Sequence, residues 1–138
     1  MKHWFLDTKM LIDLLTEREN FWLEAAQIFE AGRQQQVRLY VASLSFSHIY
    51  YVLRKTSTPA ERRQKLAKLT RLIQIVAVDG AIITQALEGG LTDFEDAIQY
   101  FAAASIPAIE AIVTRDPKGF AAGTLPVLAP AEALRLLA

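Results

Sequence analysis

The start of the chain is the feature that most constrains its fold. Lys2–Leu6 is a short apolar run that predicts a β-strand, and it ends at the carboxylate of Asp7. Thr8 follows, and residues 9–15 have the apolar spacing of an amphipathic helix. A strand that stops on an acid and turns at once into a helix places that acid at the strand's carboxyl end, where open parallel sheets bind their ligands. Asp7 is therefore the first candidate functional residue.

Length and composition predict one domain spanning residues 1–138. The chain is 52% hydrophobic, so we expect it to bury roughly two-thirds of its unfolded surface, enough for a three-layer core. It has no cysteine, which excludes disulfides, thiolate zinc sites and cysteine nucleophiles. The apolar opening is interrupted at Asp7 without a cleavage site, and no run reaches membrane-spanning length. We therefore expect a cytoplasmic protein.

The chain has no net charge, but its charges are unevenly distributed. Residues 54–71 are strongly basic, whereas residues 7–30 are mostly acidic. The basic segment has two interpretations, an RNA-binding arm or the solvated face of a surface helix, and the second is the commoner use of lysine and arginine. The candidate RNA contacts are Arg54, Lys55, Arg62 and Arg63.

Apolar runs alternate with amphipathic stretches along the rest of the chain. Further strands are predicted at residues 37–42, 73–78, 109–113 and 124–128. Helices are predicted at residues 21–32 behind an Asn20 cap, 44–55 behind a Ser43 cap, 58–72, 80–87, from Thr92 onward and from Pro130 onward. This alternation predicts an α/β fold with a mostly parallel central sheet.

The segment TDFEDAIQY, residues 92–100, contains several acids with different expected roles. Thr92 and Glu95 have the spacing of a capping box, and Asp93 suits the positive end of the helix dipole. Asp96 has no such structural role, because it lies beside an apolar stripe that turns toward the core. An acid at the edge of a buried face needs a cation or a hydrogen-bond donor.

Residues 112–116 repeat the pattern of the first strand, an apolar run that ends in the polar cluster Thr114, Arg115 and Asp116. Asp7, Asp96 and Asp116 could meet at one edge of the sheet, and hard oxygen ligands of this kind select Mg²⁺ or Mn²⁺. For each acid alone, a helix cap or a surface salt bridge is the commoner role. The prediction of a metal site therefore depends on the three acids converging.

Four segments together resemble a known family. FLDTKMLIDLL, VASLSFSHIYYVLRK, DFEDAIQY and IVTRDPKGF occur in the order and spacing of the PIN domain, and the resemblance is closest to the small bacterial PIN proteins that include the VapC toxins. It implies an α/β/α sandwich and Mg²⁺- or Mn²⁺-dependent hydrolysis of RNA. It also implies an RNA substrate, an antitoxin partner and a homodimer.

The resemblance assigns roles to individual residues. The first, third and fourth acids of the family correspond to Asp7, Asp96 and Asp116, which would hold the metal and carry catalysis. The supporting residues are Thr8, Lys9, Asp93 and Thr114. The chain departs from the family at three positions, where His48 replaces a glutamate, Lys9 replaces a frequent asparagine and Gly119 replaces a frequent aspartate.

These departures leave alternatives open. His48 is either a metal ligand that favours Mn²⁺ over Mg²⁺, with activity lost as the imidazole protonates, or a helix histidine outside the metal site. Lys9 either pairs with Asp7, leaving an inactive site without a metal, or points away and contacts phosphate. The corresponding functions are an active PIN ribonuclease and a PIN-fold module that binds RNA or a protein without cutting.

Three other features have structural alternatives. Asp13 is expected to be a buried structural acid or a surface charge rather than a ligand. Tyr50 and Tyr51 could stack on bases, although core packing or an oligomer interface is commoner. The helix around residues 46–53 is one candidate dimer surface. An aspartate-based phosphotransferase is disfavoured, because the haloacid-dehalogenase pattern needs an aspartate where Lys9 stands.

Overall fold

The computed structural model describes all residues, 1–138. Its central sheet has five strands, β1 (Lys2–Leu6), β2 (Val37–Ala42), β3 (Gln74–Val76), β4 (Ala111–Val113) and β5 (Val127–Leu128). Their order is β3-β2-β1-β4-β5, and every neighbouring pair is parallel. Because β1 lies in the middle, the residue that follows it is at the centre of the sheet's carboxyl edge.

Seven α-helices and one short 3₁₀ helix, Pro117–Phe120, connect the strands. The α-helices are α1 (Thr8–Leu15), α2 (Trp22–Arg33), α3 (Ser43–Leu53), α4 (Pro59–Thr70), α5 (Gly80–Glu88), α6 (Phe94–Ala104) and α7 (Pro130–Leu137). None of them combines the length and the apolar character that crossing a lipid bilayer requires.

The core is divided by the sheet into two apolar layers. Trp4 and Leu6 pack on one face with residues of α1, α2, α3, α4 and α7, whereas Phe5 packs on the other face with residues of α5 and α6. This division follows from the strand itself, since successive side chains point to opposite faces of a sheet. The predicted α/β fold is confirmed as a three-layer α/β/α sandwich, and its sheet is wholly parallel.

Three predicted helix caps are wrong. Asn20 has a φ of 74° and lies in the turn before Phe21, which is the residue that precedes α2. Ser43 is the first residue of α3, and its hydroxyl instead accepts a hydrogen bond from the backbone N–H of Val78 at 3.1 Å. Asp93, rather than Thr92, caps α6. In each case the local pattern identified the turn, but the backbone path through it decided which residue faces the helix.

Several strands are also shorter than predicted. The run at residues 73–78 pairs only over Gln74–Val76, and the run at residues 124–128 pairs only over Val127–Leu128. The run at residues 109–113 is reduced to Ala111–Val113. Apolar composition extends beyond the hydrogen-bonded ladder, because a residue can be buried without facing a partner strand.

Candidate active site

Asp7 is fixed at the centre of the carboxyl edge. Its backbone N–H donates to the carbonyl of Val113 at 3.1 Å, and its side chain caps α1 by accepting from the N–H of Lys9 at 3.4 Å. Oδ1 also accepts from Nε2 of Gln99 at 3.0 Å, and Oδ2 accepts from the hydroxyl of Thr114 at 2.7 Å. All of these partners donate, so the buried side chain, 2% exposed, is held in a fixed orientation.

A buried polar network extends from this carboxylate. Oε1 of Gln99 accepts from the backbone N–H of Thr8 at 2.9 Å and from its hydroxyl at 3.1 Å. The same hydroxyl lies 2.6 Å from that of Ser45. The six buried polar residues of the protein are Asp7, Thr8, Asp13, Ser45, Gln99 and Thr114, and all but Asp13 belong to this network. Buried polarity therefore concentrates at one edge of the sheet.

Asp116 lies at the rim of the edge, paired with a lysine. Nζ of Lys9 donates to Oδ2 of Asp116 at 2.9 Å, and both side chains are about half exposed. This hydrogen bond lowers the pKa of Asp116 below its usual value. It also raises the pKa of Lys9, a shift to which the charges of Asp7 and Asp96 contribute. Lys9 therefore faces the acidic edge, with Asp116 and not Asp7 as its partner.

Asp96 lies in the first turn of α6, where its backbone N–H donates to Oδ1 of Asp93 at 3.0 Å. Burial raises the pKa of Asp96 to about 6, and the negative charges of Asp93, Asp7 and Asp116 add to the effect. Its carboxylate lies over Gly119, where a Cβ at position 119 would overlap Oδ2. Because Gly119 has no side chain, the carboxylate of Asp96 can occupy this space.

A cavity of about 270 Å³ opens beside these residues. Its lining includes Asp7, Lys9, Glu95, Asp96 and His48. His48 is exposed on α3 and makes no side-chain hydrogen bond within the chain. The structure thus brings His48 to the same cavity as two of the predicted acids, while Asp116 remains at the rim.

The donor set fits a hard divalent cation in type and charge. Asp7, Asp96 and Asp116 supply carboxylate oxygens, and three carboxylates against the single ammonium of Lys9 leave an excess of two negative charges when all are ionised. Burial is the main cause of the raised pKa of Asp96, and the neighbouring negative charges add to it. In the present arrangement, however, no group of three His, Asp or Glu side chains is placed to hold a metal ion. Side chains must therefore move before an ion can bind.

Arg115 and Asp13 form a separate, structural pair. Nε of Arg115 donates to Oδ2 of Asp13 at 2.7 Å, and Asp13 is 1% exposed. The guanidinium also stacks on the ring of Phe21, 4.2 Å from its centroid. Asp13 is therefore a buried structural acid, and Arg115 links the start of the 3₁₀ segment to α1.

The basic segment lies on α4 and on the turn between α3 and α4. The guanidinium of Arg54 stacks over Tyr51, 3.7 Å from the ring centroid, and that of Arg62 lies 4.6 Å from the centroid of Tyr50. Tyr51 is 60% exposed. Lys55 and Arg63 are exposed as well. In contrast, Ile49 and Leu53 of the same helix are fully buried, so the apolar stripe of α3 belongs to the core.

Ser45 and Gln99 are the site residues that sequence reasoning missed. The available signal was weak, a polar residue within an apolar helical stripe, as Gln99 is between Ile98 and Tyr100. Such a residue needs a buried partner. Its partners, Thr8 and Asp7, lie more than 90 positions away in the sequence, so only the folded chain identifies them.

A sequence profile of the PIN domain matches residues 3–118. The chain belongs to the PIN domain family. The match covers every element from β1 to the start of the 3₁₀ helix, and it includes all the acids at the carboxyl edge. The family resemblance inferred from the four sequence segments is therefore confirmed. No curated protein sequence matches the chain.

Solved structures of toxin–antitoxin proteins share this PIN fold. Mycobacterium tuberculosis VapC20, described as a sarcin–ricin loop cleaving toxin, is 14% identical with a TM-score of 0.68, over 88% of this chain and 96% of that one. A chain of a Klebsiella pneumoniae toxin–antitoxin complex is 24% identical with a TM-score of 0.64, over 91% of this chain and 96% of that one. A chain of Rickettsia felis VapBC2, bound to a promoter DNA fragment, is 12% identical with a TM-score of 0.66, over 92% of this chain and 98% of that one. At these identities the likeness concerns the fold.

Proposed function

We propose that this PIN-domain protein is a metal-dependent ribonuclease that hydrolyses RNA phosphodiesters. The observation that carries the proposal is the position of the three acids at one edge of the sheet: Asp7 and Asp96 line one cavity, and Lys9 of the same cavity is ion-paired with Asp116. PIN-domain membership and the toxin structures with the same fold support a nuclease rather than another use of an acidic edge. The excess negative charge supports a divalent cation as the cofactor.

The residues that would hold Mg²⁺ or Mn²⁺ are Asp7, Asp96 and Asp116, with His48 as a further ligand that favours Mn²⁺. The chemistry that a bound ion would supply is activation of a water and neutralisation of the charge that develops on the phosphodiester. The chain's own contribution is orientation. Gln99 and Thr114 hold both oxygens of Asp7, so that the most buried ligand needs no reordering.

We assign the RNA-contacting surface to the basic residues of α4 and of the turn that joins it to α3. Arg54, Lys55, Arg62 and Arg63 supply positive charge, and Tyr51 offers an exposed ring on the helix that also carries His48. Arginines stacked on tyrosine rings present a flat cationic surface, which suits unstacked bases next to phosphates. Single-stranded or looped RNA is the substrate class that this surface favours.

Partners follow from the same family relationship. We propose an antitoxin that is made with this protein and covers the acidic edge, and a homodimer as the working form. The remaining candidate for the dimer surface is the exposed part of α3 other than Tyr51, since the buried stripe of that helix is committed to the core. Cytoplasmic location is part of this proposal.

A double variant tests the nuclease function. We expect the purified wild-type protein to cleave structured RNA in the presence of Mn²⁺, and Asp7→Asn with Asp96→Asn to abolish cleavage. Glu88→Gln with Glu110→Gln is the matched control, because it also removes two carboxylates, both exposed and outside the candidate site. Equal cleavage by wild type and the Asp7/Asp96 variant would refute the proposal.

The RNA surface has a separate test. Arg54→Ala should raise KM for RNA by about threefold to tenfold with little change in kcat, since removing a phosphate or stacking contact weakens binding uniformly. Arg135→Ala on α7 removes an equal charge from another exposed helix and should leave KM unchanged. A fall in kcat at constant KM would contradict the assignment.

A second candidate function is a PIN-fold module that binds RNA or a protein without cutting. The Lys9–Asp116 ion pair and the absence of an assembled ligand trio favour it. In the experiment above, RNA retention without cleavage by the wild-type protein would support this second function.

A further inference from the structure

The ammonium of Lys9 lies where it would compete with a divalent cation for the carboxylate of Asp116. It lies 2.9 Å from Oδ2 of Asp116, and it is close enough to Asp7 and Asp96 for their charges to act on it. Lys9 also lines the cavity that contains those two acids. No other cationic side chain lines that cavity. The acidic edge is thus already partly neutralised by a group that belongs to the chain.

The three acids are correspondingly not arranged around a common point. Asp116 is turned to Lys9 at the rim, and Asp96 lies over Gly119, in space that a side chain at position 119 would fill. Only Asp7 is locked in place by buried donors.

We infer that Lys9 is a built-in counter-cation that a divalent ion must displace from Asp116 before the site can assemble. Two properties make the displacement feasible. The Lys9–Asp116 pair is about half exposed, so it contributes little to stability and little free energy is lost when it is broken. Lysine also carries a flexible four-carbon stem, which allows the ammonium to move into solvent while its backbone remains in α1. The inference rests on the proposed metal-dependent function and deepens it, because it names the residue that sets the metal affinity.

The consequence is measurable without any RNA. Removing the Lys9 charge should strengthen binding of Mn²⁺ by about tenfold, because the ion no longer competes for Asp116 and no longer meets a like charge in the same cavity. Lys9→Gln is the test variant. Lys9→Arg should bind Mn²⁺ about as weakly as wild type, since it restores a cation at the same position.

Lys118→Gln is the matched control. Lys118 is exposed and its charge acts on Asp116, but it makes no ion pair with that residue. The Lys118→Gln substitution therefore removes the same net charge near Asp116 but keeps the Lys9 ammonium, which competes with the ion. We expect its Mn²⁺ affinity to remain within about threefold of wild type.

The experiment is calorimetric or electron-paramagnetic-resonance titration of each intact protein with Mn²⁺ alone, at fixed ionic strength. Thermal denaturation beforehand checks that the half-exposed position tolerates substitution. Tighter binding by Lys9→Gln, with Lys9→Arg and Lys118→Gln near wild type, supports the inference. Equal affinities of Lys9→Gln and Lys118→Gln overturn it, because the effect would then be one of net charge.

RNA cleavage by the wild-type protein separates this inference from the proposed function. If wild type cleaves RNA with Mn²⁺ and Lys9→Gln binds the ion no more tightly, the nuclease function stands and the inference is wrong. If Lys9→Gln gains Mn²⁺ binding while wild type does not cleave, the inference stands and the nuclease function fails for the natural chain. If no variant binds Mn²⁺ at millimolar concentration, both are wrong.

Discussion

The ion pair between Arg115 and Asp13 yields the clearest prediction about stability. Asp13 is 1% exposed, and Arg115 supplies its side-chain partners, at 2.7 and 3.4 Å. Arg115→Gln leaves the Asp13 carboxylate buried beside a neutral side chain, which cannot replace the two charged N–H donors of the guanidinium. Breaking a buried pair in this way typically costs about 3–5 kcal/mol, and the stacking of Arg115 on Phe21 is lost as well. Since Arg115 is 21% exposed, we expect the lower end, about 3 kcal/mol.

Urea denaturation measures this cost as a change in midpoint at an unchanged slope. For a chain of this length, a loss of about 3 kcal/mol also lowers Tm by roughly 10 °C. Arg33→Gln is the matched control, because it breaks an ion pair with Glu30 in which both side chains are exposed, and it should change stability very little. Asp13→Leu combined with Arg115→Met should recover most of the loss, since it removes the buried charge together with its partner. The reasoning is refuted if Arg115→Gln costs no more than Arg33→Gln.

Three further predictions concern the acidic edge and its surroundings. The pKa of Asp96 is raised from 3.8 to about 6, so the stability of the wild-type protein should fall as pH rises through that interval. In urea melts at pH 7, Asp96→Asn should therefore be more stable than wild type by about 1 kcal/mol, a value reduced to allow for the partial exposure of Asp96. Near pH 3 the two proteins should be equally stable. Gly123→Ala should destabilise by about 1–3 kcal/mol because its Cβ would overlap the buried ring of Tyr100, whereas Gly90→Ala, which meets nothing within 4 Å, should be nearly neutral in the same assay. Gln99→Leu should cost about 1–3 kcal/mol, because it leaves the backbone N–H of Thr8 unpaired and removes one of the two donors to Oδ1 of Asp7; a thermal melt that matched wild type would contradict the role of the network.

Local sequence was sufficient where one short segment contains the whole physical cause. The strand Lys2–Leu6 and the turn at Asp7 were predicted correctly, because alternation and an abrupt change to helical spacing are properties of adjacent residues. The start of α4 near Thr58 was also predicted correctly, since both halves of its capping box, Thr58 and Glu61, lie within one turn. The α/β fold followed from the repetition of such segments.

Predictions that depended on distant partners were less successful. Sequence reasoning considered Asp7 as the partner of Lys9, whereas the ammonium lies on Asp116, 107 positions away. The network of Ser45 and Gln99 was missed for the same reason. The predicted caps at Asn20, Ser43 and Thr92 were wrong by one residue or more, because the path of the chain between elements is set by what those elements pack against.

The sequence by itself determined that this protein is an α/β domain of the PIN family with acids at the ends of its strands and helices, because hydrophobic periodicity and strand-to-helix turns are written into neighbouring residues. Only the tertiary structure decided how those acids are used. It buried Asp7 among donors from α6 and from the residue that follows β4, paired Asp116 with Lys9 and placed Asp96 over Gly119. Charge interactions depend on distance through space, and that distance exists only once the chain is folded.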